Sequence, residues 1–120
     1  MNNRPLVTVL MPFRDARACY LAPKLVRARR RIVVWGAGQT GKRLARALER
    51  HGVHASQFVD IDPRKIGRSA RNRPIVAPEG LRPGTHTVLG AVGSLGARDL
   101  IRAQLERYGF VEGTDSLFAA

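Results

Sequence analysis

Cysteine is nearly absent from the chain. Cys19 stands alone, which excludes an intrachain disulfide framework and a cysteine-based zinc site. Histidine is hardly better represented: His51, His54 and His86 are scattered, and their spacing marks no metal cluster. Long apolar runs are also missing. Stretches such as Val7–Met11 and Ile32–Trp35 fall far short of the roughly 20 residues a membrane-spanning helix needs. One arginine followed by a few apolar residues at the N-terminus does not make a secretory signal. Together these absences predict a cytoplasmic protein. Ser94 sits in no nucleophile-elbow sequence and has no evident His/Asp partners, so hydrolase chemistry is unsupported.

Acidic residues are few as well. Nine Asp and Glu face 21 Lys and Arg, giving a net charge of +12 and a pI near 11.6. Such a surface attracts phosphates in a salt-dependent way. Aromatic–basic interleaving, a helix-turn-helix and zinc-finger spacing are all missing, so no specific nucleic-acid partner is expected. The chain is rich in Ala, Gly and Arg throughout, a pattern that coding bias also produces. The basic segment "APKLVRARRR" (Ala22–Arg31) reads as a solvated linker rather than a membrane-binding helix, and no membrane partner is expected.

What is present is a regular alternation of elements. With 120 residues and 44% hydrophobic content, there is room for one cored domain and a short extra segment. The chain divides near Arg30. Before it, "PLVTVLMPF" (Pro5–Phe13) reads as a β-strand, followed by a basic segment that is helical after Pro23. After it, "RIVVW" has the length and apolarity of a strand buried on both faces. "QTGKRLARALERHG" then reads as an amphipathic helix stopped by Gly52. "SQFVDI" is the second strand and "DPRKIGRSARNRP" an irregular connection. "PIVAP" and "THTVLGAVG" are further strands, with one helical turn at "PEGL" between them. "SLGARDLIRAQLERYG" is a helix whose Leu95, Leu100, Ile101, Leu105 and Tyr108 form an apolar side, and "DSLFA" is a last strand. The predicted class is α/β, a small Rossmann-like parallel sheet flanked by helices over residues 31–120, preceded by an orphan strand and basic helix over residues 1–30.

Gly36-Ala37-Gly38-Gln39-Thr40-Gly41 matches G-x-G-x-x-G between a strand and a helix, and Asp60 lies 19 residues beyond Gly41 at the end of the next strand. Each part has a physical task. Gly36 permits the tight turn, Gly38 leaves room for a pyrophosphate at the backbone, and Gly41 lets the helix pack closely on the sheet. Unpaired N–H groups and the positive end of the helix dipole then face the anion. Asp60 is placed to accept hydrogen bonds from ribose hydroxyls.

With that unit assembled, "VVWGAGQTGKRLARAL…FVDIDPRKIGRSARNRPIVAPEGL…VLGAVGSLGARDLIRAQLERYGFVEGTDSLFAA" resembles the Rossmann-type domain at the C-terminus of some bacterial family 2 glycosyltransferases. It is also similar to the nucleotide-sugar-binding domain of bacterial sugar acyltransferases. The likeness covers about three quarters of the chain, from Arg31 to Ala120. It implies a UDP-sugar held by Gly36, Gly38, Asp60, Asp62, Gly93 and Ser94, with Arg98 in reach of a phosphate. The acylating β-helix and its histidine have no counterpart, so acyl transfer does not carry over. "PLVTVLMPFRDA" (Pro5–Ala16) is similar to the first strand of the glycosyltransferase catalytic domain, with Arg14 and Asp15 in the following loop. The chain then passes directly to the C-terminal unit, as in a two-domain transferase whose catalytic middle has been removed. Asp60-Ile61-Asp62 spells D-x-D, but it falls within the Rossmann unit rather than at a catalytic metal site.

The expected function is a non-catalytic binding module for a nucleotide or nucleotide-sugar, with no catalytic residues and no metal ligands assigned. Its cofactor is open between a UDP-sugar and NAD. The alternatives are an NAD-linked oxidoreductase fragment, disfavoured because little chain remains for a substrate domain, and a vestigial or interaction protein without ligand. An exposed Val7–Met11 strand would offer an unpaired edge for a homodimer.

Overall fold

Arg31–Trp35 forms β1, the strand around which the rest is arranged. Ile32, Val33, Val34 and Trp35 are all buried, because helices cover both faces of the sheet and alternating side chains each meet one. The computed structural model describes residues 13–113 and 115–118. Most of the strand expected at Pro5–Phe13 therefore lies outside the described residues, and Phe13 itself is helical.

From β1 the chain enters helix α2 (Gln39–Glu49), then strands β2 (Gln57–Val59), β3 (Ser69–Ala70) and β4 (Arg73–Val76). A 3₁₀ turn at Pro78–Gly80 leads to β5 (His86–Gly90), helix α3 (Leu95–Arg107) and β6 (Ser116–Phe118). The sheet order is β3-β4-β2-β1-β5-β6. All neighbours are parallel except β3 and β4. The chain moves outward from β1 through β2 and β4, then crosses back to add β5 and β6 on the other side. Right-handed crossovers in opposite directions put α2 and α3 on opposite faces.

Two hydrophobic clusters result. One joins Ile32, Val34, Phe58 and Leu89 to Leu44, Ala45, Ala47 and Leu48 of α2. The other joins Val33, Trp35, Val59 and Val88 to Ile101 and Leu105 of α3. The single-residue alternation along β1 is the strand period of two. Among the described residues, no helix is long and apolar enough to cross a membrane.

Three sequence expectations are corrected here. The basic leader is not helical only after Pro23: helix α1 runs Phe13–Ala28 with Pro23 inside it. A mid-helix proline removes one backbone donor and crowds the preceding turn. The helix continues because Leu21, Ala22 and Leu25 are buried against α2 and the sheet. It ends where Arg29 takes a left-handed φ of 55°, a helix-terminating conformation more often given to glycine.

The second correction is in "DPRKIGRSARNRP", which is not irregular. Ala70 pairs with Arg73 across a two-residue turn in which Arg71 and Asn72 have φ of 47° and 63°. Two consecutive positive φ values make the tight turn whose twist matches the flanking strands. Ala70 is buried in the α2 cluster, and Arg71 clamps Glu49 at the C-terminal end of α2 with bonds of 3.0 and 2.5 Å. The hairpin thus lies alongside α2. The third concerns Leu100, assigned to the apolar side of α3 yet 67% exposed. Ile101, Leu105 and Tyr108 follow the i, i+4, i+7 row that meets the sheet, and Leu100 stands about 100° away from it.

At the foot of the sheet, Asp115 accepts from Arg30 Nη1 and from the Val111 N–H, both at 2.8 Å, tying the start of β1 to the entry of β6. His86, buried at the start of β5, accepts the Arg82 N–H at Nδ1. Burial holds its pKa below the ordinary 6.5, so the folded chain favours neutral imidazole and the unfolded chain takes up a proton first as pH falls. Its contribution is complete above about pH 6.5 and is lost progressively below. Urea midpoints should therefore drop between about pH 7 and pH 5, and a His86→Gln variant should show a shallower drop.

Candidate nucleotide site

The direction reverses between β1 and β5, where loops leaving the two strand ends part to opposite sides. Such a switch point at the carboxyl edge of a parallel sheet leaves a crevice. The loop after β1 is Gly36–Gly38 and the loop after β5 is Ala91–Ser94. The β5 loop is held to the end of β1 by the Ala91 N–H, which donates to Trp35 O at 2.9 Å, and the β1 loop to the end of β2 by the Gly36 N–H, which donates to Val59 O at 2.8 Å.

The three loop glycines differ in what they do. Gly36 has φ 122°, and a Cβ there would stand 2.6 Å from Ala91 O. Gly41, in the first turn of α2, is tighter still: its Cβ would fall 1.7 Å from Gly36 O. Both are required by the turn and by the seating of the helix. Gly38 is different. Its φ is −90°, and an added Cβ would meet only Lys65 Nζ, at 3.8 Å. The fold does not need glycine at this position, which leaves open space beside the backbone.

Gly38 is also the N-cap of α2, and no side chain caps that end. The N–H groups of Gln39, Thr40 and Gly41 occupy the first helical positions, where no intrahelical acceptor exists. The Ser94 Oγ, in contrast, accepts the Ala97 N–H at 3.2 Å and caps α3.

Asp60 reaches across to this loop. Its Oδ2 accepts the Ala37 N–H at 3.0 Å and its Oδ1 accepts the Asp62 N–H at 3.0 Å. The carboxylate is therefore fixed in orientation, with a lone pair free on each oxygen. Lys65 Nζ stands 3.9 Å from Oδ2, so one cation lies beside both the carboxylate and Gly38. Lys65 carries no signal in the sequence, because the turn that places it, where its N–H donates to Asp62 O at 2.9 Å, falls in the stretch that reads as an irregular connection.

The other nominated residues divide. Gly36, Ala37, Gly38, Gln39, Thr40, Gly41 and Asp60 are brought together at the mouth of the crevice. Asp62 turns away: its carboxylate accepts from the Arg64 N–H and guanidinium, and those bonds hold its pKa below the usual value. The D-x-D carboxylates thus have separate partners. Gly93 and Ser94 are exposed on the opposite wall. Arg98 is half-buried, its guanidinium 5.5 Å from the Phe118 ring centre and its buried Nε without an acceptor. Phe118 packs there because Gly90 leaves room: a Cβ at Gly90 would lie 2.6 Å from that ring.

No protein-family model, curated protein or solved structure matches the chain. The glycine assignments predict that Gly41→Ala loses about 3 kcal/mol or more of stability in urea titration, whereas Gly38→Ala stays within about 1 kcal/mol of the parent.

Proposed function

We propose that this chain is a binding module for a nucleotide or nucleotide-sugar, related to the C-terminal domain of bacterial family 2 glycosyltransferases and without transferase chemistry of its own. The observation that carries the reading is Asp60 bonded to the Ala37 N–H beside an uncapped helix N-terminus. In a nucleotide the ribose hydroxyls and the diphosphate are joined through the C3′, C4′ and C5′ carbons, and here a carboxylate stands beside a set of N–H donors, joined to the loop by one hydrogen bond. The diphosphate would lie along Gly38–Gly41, where unpaired donors and the helix dipole favour an anion. The ribose would sit over Asp60, and Lys65 would offset the repulsion between that carboxylate and the phosphates. Gly93, Ser94 and Arg98 would line the far wall, where a sugar or second phosphate would extend. A cytoplasmic location, favoured by the lone Cys19, accords with such a ligand.

Calorimetric titration with UDP, UDP-sugars and NAD⁺ at low and high salt tests the reading. A saturable preference for UDP or a UDP-sugar that survives high salt is expected. Gly38→Val, which the backbone tolerates, should lower that affinity at least about tenfold while leaving the melting temperature nearly unchanged. Selectivity for NAD⁺ would move the module to dinucleotides. Unchanged affinity in folded Gly38→Val would place the ligand elsewhere.

A further inference from the structure

The excess positive charge is confined to one part of the sequence. Residues 1–76 contain 17 Lys and Arg against four Asp and Glu, a net +13, whereas residues 77–120 contain four against five, a net −1. A coding bias toward arginine acts along the whole chain and would not leave one part without excess charge. The division follows the fold. Helices α1 and α2, with Ala70 of the hairpin, belong to one core cluster, and α3 belongs to the cluster on the opposite sheet face.

Within the basic part, Asp60, Asp62 and Glu49 already face Lys65, Arg64 and Arg71. Lys42, Arg43 and Arg46 form an exposed outer stripe on α2 with no ion pair among the described residues. Arg27 on α1 and Arg68 and Arg73 on the hairpin are equally exposed. Like charges at helical spacing repel and lower stability, so this face is electrostatically complementary to an extended anion. An apolar side chain lies in the same field. Val26 is 61% exposed, between Lys24 and Arg27, and lines an open recess with Ala22, Pro23 and His51 where α1 meets the turn after α2.

We propose that this face docks on an anionic lipid surface, with α1 and α2 lying along the bilayer. The basic side chains meet the headgroups, and Val26 reaches toward the acyl boundary. Nucleic acid suits the face less well. The two helices form a packed layer with neither projecting into a groove, and Trp35, Phe58 and Phe110 are buried rather than offered as stacking platforms. The recess lies at the end of α2 opposite the glycine loop, so the surface and the crevice can be occupied together. The leader helix, read from the sequence as a solvated linker, contributes because its packing on α2 joins two basic surfaces into one.

The test is co-sedimentation of the full chain with phosphatidylcholine vesicles, with and without about one third phosphatidylserine. Binding should require the anionic lipid. The Lys42, Arg43 and Arg46→Gln triple variant should weaken it by about one to two orders of magnitude. Arg82 and Arg107→Gln, on the neutral part, should leave it within about twofold. Circular dichroism should be unchanged in both variants, as every substitution is at an exposed position. Equal losses in the two variants would mean that net charge alone is sensed and would overturn the docking face. So would binding that ignores lipid charge, or a short duplex that displaces the vesicles at sub-stoichiometric amounts.

Discussion

Gly36 and Gly41 let the first turn of α2 come down onto the backbone of the preceding loop, where a Cβ on Gly41 would stand 1.7 Å from Gly36 O. That close seating sets the direction of α2 across β1. It brings the helix N-terminus to the carboxyl edge of the sheet and leaves Ala37 N–H within reach of Asp60. It also fixes where Leu44 and Leu48 enter the core. The constraint is structural in origin, and the crevice is a geometric consequence of it. Gly38 alone among the three is free of that constraint, so the open space beside it is where the fold and a ligand can be told apart.

The hairpin of β3 and β4 adds a second layer to the same site. It is fastened to α2 by Arg71 and Glu49, and the turn that precedes it lays Lys65 beside Asp60 and Gly38. A single exposed ion pair contributes little to stability. Together with burial of Ala70, though, it gives the hairpin one position along α2. The chain between β2 and β4 thereby supplies a cation to a mouth that otherwise carries a carboxylate. At the same time it adds Arg68, Arg71 and Arg73 to the basic side of the molecule.

Strong local patterns made much of this legible. "RIVVW" is uniformly apolar and "LARAL" repeats at the helical period, so β1 and α2 follow from sequence with little competition. The glycine loop, Gly52 as a stop and the final strand were equally plain. The β3–β4 hairpin was not, because its turn uses Arg71 and Asn72 where Asn-Gly is the usual signal, and its strands are two and four residues long. The part of α1 before Pro23 is not legible, because Pro23 argues locally for a helix start while burial of Leu21, Ala22 and Leu25 decides otherwise. The approach of Asp60 to the glycine loop is legible from its spacing. That of Lys65 is not, as it depends on the turn that follows Asp62. The gathering of exposed Arg27, Lys42, Arg43 and Arg46 on one side likewise depends on α1 packing against α2.

The central claim is that the loop after β1 and the end of β2 form one ligand site. The most direct measurement is a two-dimensional amide NMR titration of the chain with UDP at about physiological ionic strength, where surface charge is largely screened. The account predicts saturable shifts confined to Ala37–Gly41, Asp60 and the Ala91–Ser94 wall, with the Ala37 amide moving as its bond to Asp60 adjusts. Shifts spread instead along Lys42, Arg43 and Arg46, linear in ligand and abolished by added salt, would contradict it and leave the glycine loop as scaffold.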